Sequence, residues 1–189
     1  ANSSASELQE SVLEADNGTI WAIYSSDKFG DFDIYYKTFS GTWSADARLT
    51  AQSDDDRQAW IMQDLNGTIW AFWARCVKAG SACQDDVFYR VSYNLGSSWS
   101  SETQYTIDPQ GIEIFDSEPA AFNARDKKIY LFWTTNITGD GGEFDIYYST
   151  TPIPIHDAGL LSTVAYPVSI LKGKKVFVNA TVGNLGDYS

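Results

Sequence analysis

Basic residues are scarce in this 189-residue chain: 13 Lys and Arg stand against 25 Asp and Glu, a formal charge of −12 at pH 7. Binding nucleic acid or an anionic membrane would begin with charge repulsion, so neither partner class is expected. Histidine occurs once, at His156, and cysteine twice, at Cys76 and Cys83. A single histidine at a proposed domain junction gives no Ser-His-Asp arrangement to argue, and two cysteines without a histidine pair cannot complete a zinc site. Nothing approaches the run of about 18 apolar residues that a membrane helix needs, so no membrane insertion is expected. No basic segment followed by an apolar stretch opens the chain at Ala1. The numbering is therefore expected to start after a removed signal peptide or inside a longer protein.

Aromatic residues, in contrast, are plentiful: 7 Trp, 11 Tyr and 10 Phe, within 43% hydrophobic content. That is too apolar for a disordered chain of this charge, and a folded core is expected. Five Asn-x-Ser/Thr sequons occur, at Asn2, Asn17, Asn66, Asn136 and Asn179. They read as N-glycosylation sites of a secreted protein. Asn17-Gly-Thr and Asn66-Gly-Thr read equally well as turn chemistry, because both fall where a hairpin turn is expected. Cys76 and Cys83 flank a short loop that can bring their Cβ atoms within disulfide reach. Together these features favour an oxidising, extracellular or cell-surface setting.

The chain repeats. Asn17-Gly-Thr-Ile-Trp-Ala-Ile-Tyr, Asn66-Gly-Thr-Ile-Trp-Ala-Phe-Trp and Asp126-Lys-Lys-Ile-Tyr-Leu-Phe-Trp align. A second signature follows in each unit: Asp33-Ile-Tyr-Tyr, Asp86-Val-Phe-Tyr and Asp145-Ile-Tyr-Tyr. The period is roughly 50–60 residues. Each unit reads as short strands of β-branched and aromatic residues bounded by Gly, Asn, Asp and Ser. Four are expected in the first unit (11–14, 19–24, 34–38, 43–49) and four in the second (59–63, 68–74, 87–91, 99–105). The third has three (119–123, 128–134, 146–150), because Pro152 and Pro154 arrive where the last strand belongs and proline is confined to strand edges. Four antiparallel strands at this period predict an all-β fold of propeller-type blades, about three of them, at about 7–50, 57–106 and 116–151 within residues 1–155.

The residues resemble the sialidase-like repeats with Asp-box turns. Ser92-Tyr-Asn94-Leu-Gly96-Ser-Ser-Trp99-Ser matches the Asp-box spacing with Asn in place of Asp, Thr38-Phe-Ser40-Gly41-Thr-Trp43-Ser is a shortened version, and Arg48-Leu-Thr50 matches the tail of the pattern. The tail, 156–189, changes character, with three lysines against two aspartates. Its run Lys172-Gly-Lys-Lys-Val-Phe-Val-Asn-Ala-Thr-Val resembles the opening strands of an immunoglobulin-like adhesion-type module of prokaryotic surface proteins, incomplete in strand number.

The sialidase resemblance implies an arginine cluster for a substrate carboxylate, a Tyr nucleophile and a carboxylic acid. The five arginines, Arg48, Arg57, Arg75, Arg90 and Arg125, are scattered over different structural positions, and the Arg-Ile-Pro segment of that family is missing. No catalytic residue is therefore assigned. The acidic loops Asp31 with Asp33 and Glu143 with Asp145 suit calcium or serve as turn caps; no other cofactor is expected. Trp60 and Phe29 lack aromatic counterparts at aligned positions and are the candidates for sugar stacking.

Three blades cannot close a ring of at least four, and bare sheet edges are aggregation-prone. The function expected from the sequence is therefore a non-catalytic extracellular structural or surface protein, acting by attachment or by self-association with copies of itself, as in a strand-donating filament, or with further domains of a longer chain. The alternative is a carbohydrate-binding or glycoside-hydrolase propeller fragment, with glycans as partners.

Overall fold

The computed structural model describes residues 5–79, 82–107, 114–136 and 144–152, with backbone alone at 78, 79, 82, 83, 151 and 152. The described residues are all-β. β1 (Glu7–Glu14), β2 (Ile20–Ser26), β3 (Asp33–Phe39) and β4 (Ala47–Arg48) form one antiparallel sheet in that order. β5 (Asp56–Gln63), β6 (Ile69–Ala79), β7 (Ala82–Ser92) and β8 (Thr103–Gln104) form a second, and β9 (Asp116–Asn123), β10 (Lys128–Thr135) and β11 (Asp145–Pro152) a third. The first strands pack side by side, β1 beside β5 and β5 beside β9, so they form the inner edge of a propeller-type array.

The turns between first and second strands explain themselves locally. Gly18 N–H donates to Ala15 O at 2.8 Å and Gly67 N–H to Asp64 O at 3.0 Å, with φ of 78° and 85°. Glycine takes that left-handed backbone without a Cβ clash. Lys127 occupies the same place in the third blade at φ 62°.

The fourth strands are shorter than the sequence pattern predicts. Trp43 makes only an isolated bridge to Phe39, because the chain is still turning at Ser40–Trp43. Ladder pairing resumes at Ala47 and Arg48 opposite Tyr36 and Tyr35. Pro152 ends β11 opposite Lys128. The immunoglobulin-like segment 156–189, His156 and Pro154 lie outside the described residues.

Two cores lie between the blades. The first joins Trp21, Ile23 and Ile34 to Ile61, Ile69, Ala71 and Trp73; the second joins Met62, Trp70, Phe72 and Val87 to Ala121, Ile129, Leu131 and Trp133. The middle strand β6 is buried on both faces from Ile69 to Arg75, which accounts for its unbroken apolar run. β10 alternates instead, with Ile129, Leu131 and Trp133 inside and Tyr130 and Phe132 on the other face.

Candidate functional site

Each inner strand carries a β-bulge at the same place. Leu8 pairs with Ser25 and Ser11 with Ile23, so Gln9 and Glu10 together oppose Tyr24. In the second blade Gln58 and Ala59 oppose Trp73, and in the third Glu118 and Pro119 oppose Trp133. The first residue of each bulge is left-handed: Gln9 at φ 55°, Gln58 at 56° and Glu118 at 53°. Glycine is the usual occupant of such a bulge position. Three non-glycine residues there store strain of order 1–2 kcal/mol each, and strain of this kind clusters at functional sites.

A side-chain ladder fixes the three bulges to one another. Gln58 N–H donates to Gln9 Oε1 at 3.0 Å, and Glu118 N–H donates to Gln58 Oε1 at 2.9 Å. At the bulges lies a shallow, open cavity of about 270 Å³ lined by Gln9, Glu10, Gln58, Trp60, Glu118 and Pro119 together with two alanines. Glu10 and Glu118 are exposed and put two carboxylates at its rim. Trp60, a candidate for sugar stacking, is half-buried as a wall, its indole N–H donated to Ala121 O at 2.8 Å. The opening thus offers carboxylates, amides and an aromatic surface, a set that can accept hydroxyl hydrogen bonds and pack against a sugar ring.

The other residues that the sequence singles out lie elsewhere. Asp33 is buried and ion-paired to Arg48 at 2.5 Å, tying β3 to β4; burial raises its carboxyl while Arg48 pulls it back. Asp86 does the same work through Gln104 at 3.0 Å and Thr106 at 3.4 Å. Asp31 and Asp145 are exposed, and Glu143 lies outside the described residues. Among the described residues no group of three or more His, Cys, Asp or Glu could hold a metal ion. The arginines do not gather at the cavity either. Arg57 stacks on Phe32 at 4.1 Å, Arg75 and Arg90 both reach Glu102, and none lines the cavity. Phe29 is exposed beneath Arg48, away from the cavity. Asn17 and Asn66 are exposed in their turns, while Asn136 accepts from Phe115 N–H at 2.8 Å; Asn2 and Asn179 lie outside the described residues. Cys76 opposes Asp85 and Cys83 opposes Lys78 on adjacent strands, and the Cys83 side chain is outside the described set.

The sequence reading missed the bulges because nothing in Gln-Glu, Gln-Ala or Glu-Pro announces a left-handed residue. The available signal was the alignment of Gln9, Gln58 and Glu118 at one repeat position.

No protein-family model matches the chain, and no curated protein is similar to it in sequence. Solved structures are similar in fold. A Hadza microbial sialidase superposes with a TM-score of 0.62 at 13% identity, over 76% of this chain and 35% of that one. The GH93 α-L-arabinofuranosidase of Fusarium graminearum with arabinobiose gives 0.58 at 13%, over 79% and 46%. A thermostable family-43 glycoside hydrolase gives 0.57 at 18%, over 78% and 51%. The chain spans between about a third and a half of the length of these structures, and the likeness is one of fold: an all-β array of propeller-type blades. The expectation of a non-catalytic protein is corrected here, because the structures that share the blades are enzymes by name.

Proposed function

We propose that this chain is part of a carbohydrate-active propeller whose saccharide binds at the inner-strand bulges. The observation that carries the reading is the cavity itself: three aligned, strained, non-glycine bulges presenting Glu10, Glu118 and the Trp60 wall at one opening. Strain that a glycine would relieve is retained where the polar groups meet. The enzymes that share the fold give the reading its substrate class, and a carboxylate pair is the usual equipment for glycosidic bonds. The five sequons, the acidity and a Cys76–Cys83 bridge belong to the same proposal, as features of a secreted or surface protein.

Titration calorimetry of the purified protein with arabino-oligosaccharides and sialylated oligosaccharides tests it. Binding is expected to weaken at least tenfold, about 1.4 kcal/mol, in Trp60→Ala with the melting transition retained. Glu10→Gln with Glu118→Gln is expected to abolish turnover and keep binding. Failure of every saccharide to bind, or full binding by Trp60→Ala, removes the reading.

A further inference from the structure

The two blade interfaces are one interface used twice. On the side facing the next blade, Leu13, Trp21, Ile23 and Tyr36 of the first blade correspond to Met62, Trp70, Phe72 and Tyr89 of the second, and both sets are covered. The third blade carries Phe122, Tyr130, Phe132 and Tyr148 at those places, stacked on one another with ring centroids 5.6–6.1 Å apart. Here Phe122 is 52% and Tyr148 53% exposed. On the opposite side, Ile61, Ile69, Ala71 and Trp73 of the second blade match Ala121, Ile129, Leu131 and Trp133 of the third, again covered. The first blade's counterparts are Val12, Ile20, Ala22 and Tyr24, and Val12 is 68% exposed.

The described chain therefore ends in the two complementary halves of its own repeated interface. The bulge ladder is open in the same sense. Gln9 and Gln58 each give a side-chain oxygen to the amide of the following blade, and Glu118 holds that position with nothing after it among the described residues. Residues 153–189 carry neither repeat signature.

We infer that the aromatic face of the third blade docks the first blade of a second copy, with the Gln9 amide of that copy donating to Glu118. Two three-bladed copies exchanging both contacts would close a ring of six, within the range that propellers use, and would complete the wall of the cavity. The second copy is chosen over other sheets because its first blade carries the aliphatic face that the aromatic face already accepts twice.

Analytical ultracentrifugation of the 189-residue protein without sugar tests this independently of the carbohydrate reading. The expected species has twice the mass of one chain. Val12→Arg and Phe122→Arg lie on exposed positions and should each give monomers with unchanged circular dichroism, raising the dissociation constant at least a hundredfold. A mixture of the two variants keeps one intact contact and should recover dimer. A monomeric wild-type protein would overturn the inference and assign the face to further blades of the same polypeptide. Dimerisation indifferent to both substitutions would overturn it as well.

Discussion

The first and second blades carry the same four-charge network in different solvent. In the second, Arg75 pairs with Asp56 through Nε at 2.6 Å and Nη2 at 2.9 Å, reaches Glu102 at 2.7 Å, and Glu102 is shared with Arg90 at 3.1 Å. In the first, Lys28 pairs with Glu7 at 3.3 Å and with Asp46, and Asp46 is shared with Lys37 at 2.8 Å. Each cation also covers two aromatic rings: Arg75 lies over Trp73 and Phe88, Lys28 over Tyr24 and Tyr35. The Asp56 side chain is 0% exposed and the Glu7 side chain 57%. Burial by the preceding blade separates them: Phe32 O of the first blade accepts the Asp56 amide at 2.7 Å. A buried acid beside rings is best met by the planar fork of arginine, whereas a flexible ammonium suffices in water. The difference teaches that a blade's chemistry is tuned to whether a neighbour covers it.

The largest expected effect comes from breaking the buried member. Arg75→Ala leaves Asp56 buried with no cation, held only by neutral donors such as the Trp73 indole and the Thr50 hydroxyl, and should cost about 3–5 kcal/mol at neutral pH, read by urea denaturation. Burial already pushes the Asp56 carboxyl above its ordinary 3.8 while Arg75 pulls it back; without Arg75 it rises further. A carboxyl raised in the folded state contributes stability that is present at low pH and lost as pH climbs through the folded value. The penalty should therefore shrink as the pH is lowered toward 4. A penalty that is flat with pH would mean that Asp56 finds another cation.

Next comes the clasp between these two blades. Gly96, φ 80°, sits where a Cβ would meet Trp21 Cη2 at 2.1 Å, and Trp21 is buried against Tyr36 and Trp99. Gly96→Ala should cost about 1–2 kcal/mol for the backbone and about 1–3 kcal/mol for overpacking. A near-neutral melting temperature would show that the loop swings clear and that the blades are joined by their cores alone.

Much of the fold was legible. The Ile-Trp signature and its third-blade counterpart Ile-Tyr mark the second strand of each blade, paired on both sides and buried on both faces in β6, and the Asp-Ile-Tyr-Tyr signature marks the third. Bridge-only pairing at Trp43 was not legible, because a turn and a strand share the same aromatic residue there. The charge network escaped self-comparison because Lys28 does the work of Arg75 from two residues further on: the residue in register with Arg75 is Ser26. The candidate site escaped for a related reason, since left-handed backbone at Gln58 is imposed by the inter-blade ladder and not by its own propensity. Gln58→Gly should test that cause. It loses the 2.9 Å bond to Glu118 N–H, worth about 1 kcal/mol, but relieves the backbone, so it should be less destabilised than Gln58→Ala. The reverse order would place the cause of the bulge in the side-chain bond alone.

The smallest effect is expected at the open network, and its dependence on association makes it informative. Lys28→Ala removes pairs whose acids, Glu7 and Asp46, keep 57% and 28% of their side-chain surface in water, and should cost about 1 kcal/mol in dilute monomer. If a second copy's third blade covers the first blade, Lys28 and Glu7 enter the surroundings that Arg75 and Asp56 occupy in the second. Losing one partner of a covered pair is costlier than losing one in water. The same substitution should then weaken dimerisation more than it weakens folding, seen as a larger shift in sedimentation equilibrium than in the denaturation midpoint. Equal shifts would mean that the first blade keeps its solvent, and that lysine stands there because no neighbour arrives.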